Sequence, residues 1–198
     1  MDTGSNVAEV PAVMGREHRD LRTALEDYAR RMPAHAPLAD EFLALLDAPG
    51  EDPFSRARLD GHFTASAWLV SADGARVLLT HHRKLGRWLQ LGGHADGDRD
   101  LPRVALREAE EESGLAGLRL QAGGIFDLDR HWIPARGTVP GHWHYDVRYV
   151  VAAGTEEGFV VSEESLDLAW RAVDTIAADP QADASLQRMA RRWLAGAG

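Results

Sequence analysis

Cysteine is absent from the 198 residues, which excludes disulfides, thiolate catalysis and cysteine-ligated zinc. No apolar run approaches the ~20 residues that a membrane span needs. No signal-peptide pattern opens the chain, so a cytoplasmic protein is expected. Basic residues are in deficit: 22 Lys and Arg stand against 31 Asp and Glu, a net charge of −9. Such a chain is poorly suited to grip a nucleic-acid backbone, and neither stable nucleic-acid binding nor membrane association is expected. What remains is ordinary globular material, 44% hydrophobic and 27% charged, enough for one cored domain with an appendage.

Against that background one stretch carries chemistry, Leu91–Leu115 (LGGHADGDRDLPRVALREAEEESGL). Gly92 and Gly93 lack Cβ, so the backbone there can turn tightly and approach another group closely. An acidic loop follows. A helix is then expected to begin near Asp100 or Leu101, with Pro102 in its first turn and Gly114 placed to end it. Glu108, Glu111 and Glu112, spaced i, i+3, i+4, fall within about one third of its circumference. Like charges at this spacing weaken an isolated helix, so a positive partner is expected. Hard divalent cations such as Mg²⁺ prefer oxygen ligands and suit that role.

The segment resembles the Nudix box, G-x5-E-x7-R-E-U-x-E-E-x-G-U, where U is a bulky apolar residue. Gly93 matches the first glycine, Arg107-Glu108 the RE pair, Glu111-Glu112 the EE pair and Gly114-Leu115 the close. Ala109 takes the first apolar position. Arg99 stands where the pattern has its first glutamate, flanked by Asp98 and Asp100. The resemblance implies an α/β protein, a Nudix-type α/β/α sandwich with a mixed sheet. It also implies Mg²⁺ (or Mn²⁺) held by Glu108, Glu111 and Glu112 with a carbonyl from the glycine pair, expected from Gly92. The implied reaction is hydrolysis of a phosphoanhydride in a nucleoside diphosphate linked to another moiety, a small-molecule substrate. Arg107 would orient Glu108, and Glu108, Glu111 or Glu112 would serve as the base; the family is not uniform about which residue acts. Isopentenyl diphosphate isomerase shares this fold but relies on a cysteine, which this chain lacks. A nucleotide-binding or regulatory module with little turnover is the alternative that Arg99 raises.

The rest of the chain is organised around that segment. Met1–Gly15 is expected to be a flexible tail, and residues 16–50 a helical extension with helices over Arg16–Met32 and Leu38–Ala48. This extension could pack on the body or form a homodimer surface. Residues 51–198 are expected to be the Nudix hydrolase domain. His62–Val70 and Ala75–His82 read as a hairpin around Ser71–Gly74, followed by a short strand at Trp88–Leu91. Leu118–Leu128 reads as a strand bulged at Gly123-Gly124, and Asp129–Gly141 as an irregular loop. His142–Ala153 alternates, with Tyr145, Val147, Tyr149 and Val151 on one face and His144, Asp146 and Arg148 on the other. Such a polar row needs water, partners or a ligand.

His142-x-His144 could turn two imidazoles toward a transition metal, with Asp146 next on that face. The preferred role for His131 and His144 is to line the substrate pocket. Arg87, His94 and Arg148 complete the candidate substrate-binding set, and Lys84 could also meet phosphate oxygens. One or two strands around a turn over 158–162 and 166–173, with Glu163 and Glu164 between them, and helices over 175–178 and 182–194 finish the chain.

Overall fold

The computed structural model of the chain describes residues 20–83, 86–161 and 165–196. The expected flexible tail, Lys84, and Glu163 with Glu164 lie outside these residues. At the centre, β1 (Gly61–Val70) is buried along its whole length. β7 (His142–Ala152) runs parallel to it, with His62 opposite His144, Ser66 opposite Arg148 and Val70 opposite Ala152. Around this pair lie β2 (Arg76–His82), β3 (Arg87–Leu89), β4 (Leu91–His94), β5 (Arg119–Leu120), β6 (Asp127–Ile133) and β8 (Ser165–Ala172). β4 pairs with β1, β6 with β7 and β8 with β2, all antiparallel, so the sheet is mixed.

Alternation along β1 and β7 decides which helices cover which face. Phe63, Ala65, Val147 and Tyr149 join one core with Leu101, Val104 and Ala105 of α3 (Leu101–Ser113). Leu25 and Tyr28 of α1 (Leu21–Arg31) and Phe42 of α2 (Ala36–Asp47) enter the same core. On the opposite face Trp68, Val70 and Val150 pack with Ile176 of α4 (Val173–Ala178) and with Leu186, Met189 and Ala190 of α5 (Ala184–Leu194). Helices therefore cover a mixed sheet from both sides, the expected layering. The N-terminal helices are tied further by polar bonds. Arg31 donates to the Ile125 carbonyl at 2.9 Å, and Arg192 of α5 donates to the Tyr28 hydroxyl at 3.2 Å.

The box helix has the expected ends. Asp100 caps α3 by accepting the Arg103 N–H at 3.2 Å, Pro102 sits in the first turn, and Gly114 leaves the helix at φ +68°. Two other expectations are corrected. Gly123-Gly124 separates β5 from β6 rather than bulging one strand. Asp129–Gly141 is not all loop, because β6 extends to Ile133 and pairs with β7, Asp129 opposite Asp146 and His131 opposite His144. Of the one or two strands expected over 158–173, one forms, β8; residues 158–161 form none, and the Val160 N–H donates to the Ser113 carbonyl at 2.8 Å.

Candidate active site

The box carboxylates gather where α3 crosses β4. Glu108 lies directly against Gly93: a Cβ on Gly93 would sit 2.6 Å from the carboxyl carbon of Glu108. Only glycine allows that approach. Glu112 accepts the Gly92 N–H at 2.9 Å. Arg107 donates to Glu108 at 2.9 Å and lies 3.9 Å from Glu111. The hydrogen bond it donates to Glu108, with the charges of Glu108, Glu111 and Asp98, raises the Arg107 pKa against the opposing effect of burial, so it stays a cation. The side chain of Glu111 is 64% exposed while that of Glu108 is 18% exposed, so Glu111 is the carboxylate with the freest access to solvent.

This donor set fits a hard divalent cation. All its side-chain donors are oxygens, and the absent Cβ at Gly93 lets the Glu108 carboxylate lie against the strand beside the Gly92 and Gly93 backbone. The three glutamates do not bring oxygens within 4.8 Å of one another; among the described residues, the group that comes this close is His62, His142 and His144. Mg²⁺ retains several waters and binds through one or two carboxylates plus phosphate, so a wider carboxylate array still suits it.

Arg99, the departure from the pattern, turns away from its acidic neighbours. It reaches Asp52 at 3.3 Å and lies over the Phe54 ring, 4.8 Å from its centroid. The loop acids have other partners: Asp96 pairs with Arg56, and Asp98 with Arg103.

The candidate substrate-binding residues divide into three. His94, His131 and His144 converge, with His144 ring centroids 5.0 Å from His94 and 5.5 Å from His131. Burial, followed by the nearby charges of Arg56 and His62, lowers the His94 pKa to about 4, and burial with four neighbouring imidazoles pushes His144 lower still. Both rings are neutral at neutral pH. His94 also adjoins the carboxylates, since its carbonyl accepts from Arg107 at 3.5 Å. Arg87 sits apart, exposed on β3 and 3.4 Å from Asp183. Arg148 is 2% exposed and enclosed by carboxylates. Its guanidinium meets Asp146 at 2.7 Å, Asp129 at 3.2 Å and Asp127 at 3.4 Å.

His62 escaped the sequence reading, although it is 2% exposed and its ring lies 4.9 Å from that of His144. Its signal was the alternation His62, Thr64, Ser66 on a strand otherwise apolar. Thr64 and Ser66 both donate to Asp146, at 3.0 and 2.7 Å.

A family model described as the NUDIX domain matches residues 61–193. The chain belongs to the Nudix family. It is 31% identical over 125 residues to a Mycobacterium tuberculosis protein named provisionally as 8-oxo-dGTP diphosphatase 3, a match covering 59% of this chain and 55% of that one. The chain thus spans about half the length of the curated relatives it matches. Among solved Nudix structures, a hydrolase from M. smegmatis aligns at TM-score 0.51 and 25% identity, covering 70% of this chain and 89% of that one. A NUDIX family hydrolase from Clostridium perfringens aligns at TM-score 0.54 and 24% identity, covering 69% and 98%. The Nudix match begins at β1, so α1 and α2 lie outside it. No helix among the described residues is long and apolar enough to cross a membrane.

Proposed function

We propose that the chain is a Mg²⁺-dependent hydrolase of a phosphoanhydride bond in a nucleoside diphosphate linked to another moiety. The observation that carries this reading is the contact of Glu108 with Gly93, together with the bond from Gly92 to Glu112. These place two box carboxylates against a Cβ-free strand. Glu108, Glu111 and Glu112, with the Gly92 carbonyl, would hold the ion. Bound there, Mg²⁺ would neutralise the diphosphate and acidify a water for attack on phosphorus.

The chain's own residues would position and move protons. Arg107 fixes Glu108 through a charge-assisted hydrogen bond. The Gly92 N–H holds one Glu112 oxygen in place. Glu111, the most open of the three, is the candidate to take the proton of the attacking water. His94 and His131, which converge with His144 on the sheet face opposite α3, would contact a nucleotide portion that reaches past the end of β4. The name of the M. tuberculosis relative adds nucleoside triphosphates with an oxidised base to the candidate substrates.

The test is a turnover panel with Mg²⁺ over nucleoside diphosphate derivatives, dinucleoside polyphosphates and 8-oxo-dGTP. Product from at least one class supports hydrolysis. Saturable Mg²⁺ and nucleotide binding without product from any of them would favour the alternative, a Nudix-fold binding module whose Arg99 marks lost turnover.

A further inference from the structure

Where β1 and β7 begin, three imidazoles meet on the sheet face turned away from α3. His62, His142 and His144 each bring a ring nitrogen, and all three nitrogens lie within 4.8 Å of one another. The outer nitrogens of two rings are held. Nδ1 of His62 is 3.0 Å from the Arg58 carbonyl, and Nδ1 of His142 is 2.9 Å from the Pro140 carbonyl. A carbonyl can only accept, so both rings carry their proton on Nδ1 and their lone pair on Nε2. Nε2 of His142 lies 3.2 Å from Nε2 of His144. Nε2 of His62 is buried and has no hydrogen-bond partner among the described residues.

A buried polar atom left unpaired costs on the order of 1–3 kcal/mol, which calls for an explanation in a ring that is 2% exposed. The bond from Nδ1 to the Arg58 carbonyl accounts for a donor at this place but not for the second ring nitrogen, left unpaired on the opposite edge. Ligating histidines typically donate their other ring nitrogen to a carbonyl or carboxylate, which is what His62 and His142 do. Two nitrogens on one tetrahedral zinc, each at roughly 2.0–2.1 Å, stand about 3.3–3.4 Å apart, close to the 3.2 Å between His142 and His144.

We propose that His62, His142 and His144 form a binding site for a divalent transition metal of the zinc class, with three imidazole ligands and the remaining position open. An all-nitrogen set of this kind discriminates against Mg²⁺, which prefers oxygen. The site is therefore chemically distinct from the carboxylates beside β4, and neither reading depends on the other. Metal loading requires His144 to give up its hydrogen bond to His142 and present a lone pair instead.

The test uses the full, untagged chain stripped with a chelator and titrated with Zn²⁺ against a chromophoric competitor in excess Mg²⁺. One Zn²⁺ per chain is expected. His142→Ala and His62→Gln should each weaken binding by at least ~10-fold, while Glu111→Gln leaves it unchanged. Zn²⁺ held no tighter by the wild-type chain than by His142→Ala, both folded by circular dichroism, overturns the proposal. Should a variant fail to fold, the Co²⁺-loaded wild-type chain supplies a second reading. Intense visible bands of a four- or five-coordinate ion support the site, and the weak spectrum of a six-coordinate aqua ion overturns it.

Discussion

Two polar clusters occupy one face of the same strands and are built in opposite ways. Midway along β1 and β7, Asp127, Asp129 and Asp146 meet Arg148, Arg188 and Arg192, carboxylate against guanidinium throughout. Asp146 further accepts from Thr64, Ser66 and Gln90. Charge is matched, carboxylate to guanidinium; among the described residues the Gln90 Oε1 at its margin is the buried atom left over. At the strands' beginnings the polar side chains are imidazoles, His144 and His94 are held neutral, and the buried Nε2 of His62 has no partner among the described residues. A satisfied polar row fixes the sheet; an unsatisfied one is where a ligand would complete the structure.

The largest expected effect comes from opening the charge-matched cluster. Arg148→Met strands buried carboxylates, Asp127 at 0% and Asp146 at 1% exposure, and should cost about 3–5 kcal/mol in urea unfolding. A loss below about 1 kcal/mol would show that Arg188 and Arg192 suffice and that the cluster is not one unit. The two box glycines sharpen the contrast between fixing the fold and making the site. A Cβ on Gly92 would meet backbone, 2.7 Å from the Ala65 carbonyl oxygen and the Ser66 Cα, so Gly92→Ala should lower the thermal midpoint by several degrees. At Gly93 the obstacle is the movable Glu108 carboxylate, so Gly93→Ala should leave that midpoint nearly unchanged and lower turnover. Equal midpoint losses would erase the distinction.

Acid tests the cluster more gently. Burial would raise the Asp129 pKa, but the His131 hydrogen bond and the Arg148 charge outweigh it and hold the carboxyl well below its ordinary 3.8. A depressed carboxyl contributes stability above that value, and the contribution is lost as pH falls below it. Unfolding midpoints should therefore drop below about pH 3.8, and less steeply in Asp129→Asn; identical acid profiles would remove Asp129 from the account. The smallest effect belongs to Arg99→Glu. Arg99 is 68% exposed and meets Asp52 and Phe54 on the surface, so the change should cost less than about 1 kcal/mol.

The box helix was legible because its signals are local: an Asp100 cap, Pro102 in the first turn and a left-handed Gly114. The polar row was half legible. Alternation put His144, Asp146 and Arg148 on one face, but their partners come from β1, β4, β6 and α5, and pairing across strands is not written in spacing. Pro134, Gly137 and Gly141 made the region after Asp129 look like loop and hid β6. Yet Asp127, Asp129 and His131 alternate as Arg148, Asp146 and His144 do, and their opposition in register was the available clue. The same reason explains Arg148. A charged residue on a strand reads as ligand-facing until the carboxylates that enclose it are placed.

The most direct test is turnover against Mg²⁺ concentration for the wild-type chain, Glu111→Gln and Glu112→Gln, with circular dichroism on each. The account predicts saturable Mg²⁺ dependence and losses of roughly 100-fold or more in both variants, with the fold unchanged. Near-wild-type rates in both folded variants would contradict it.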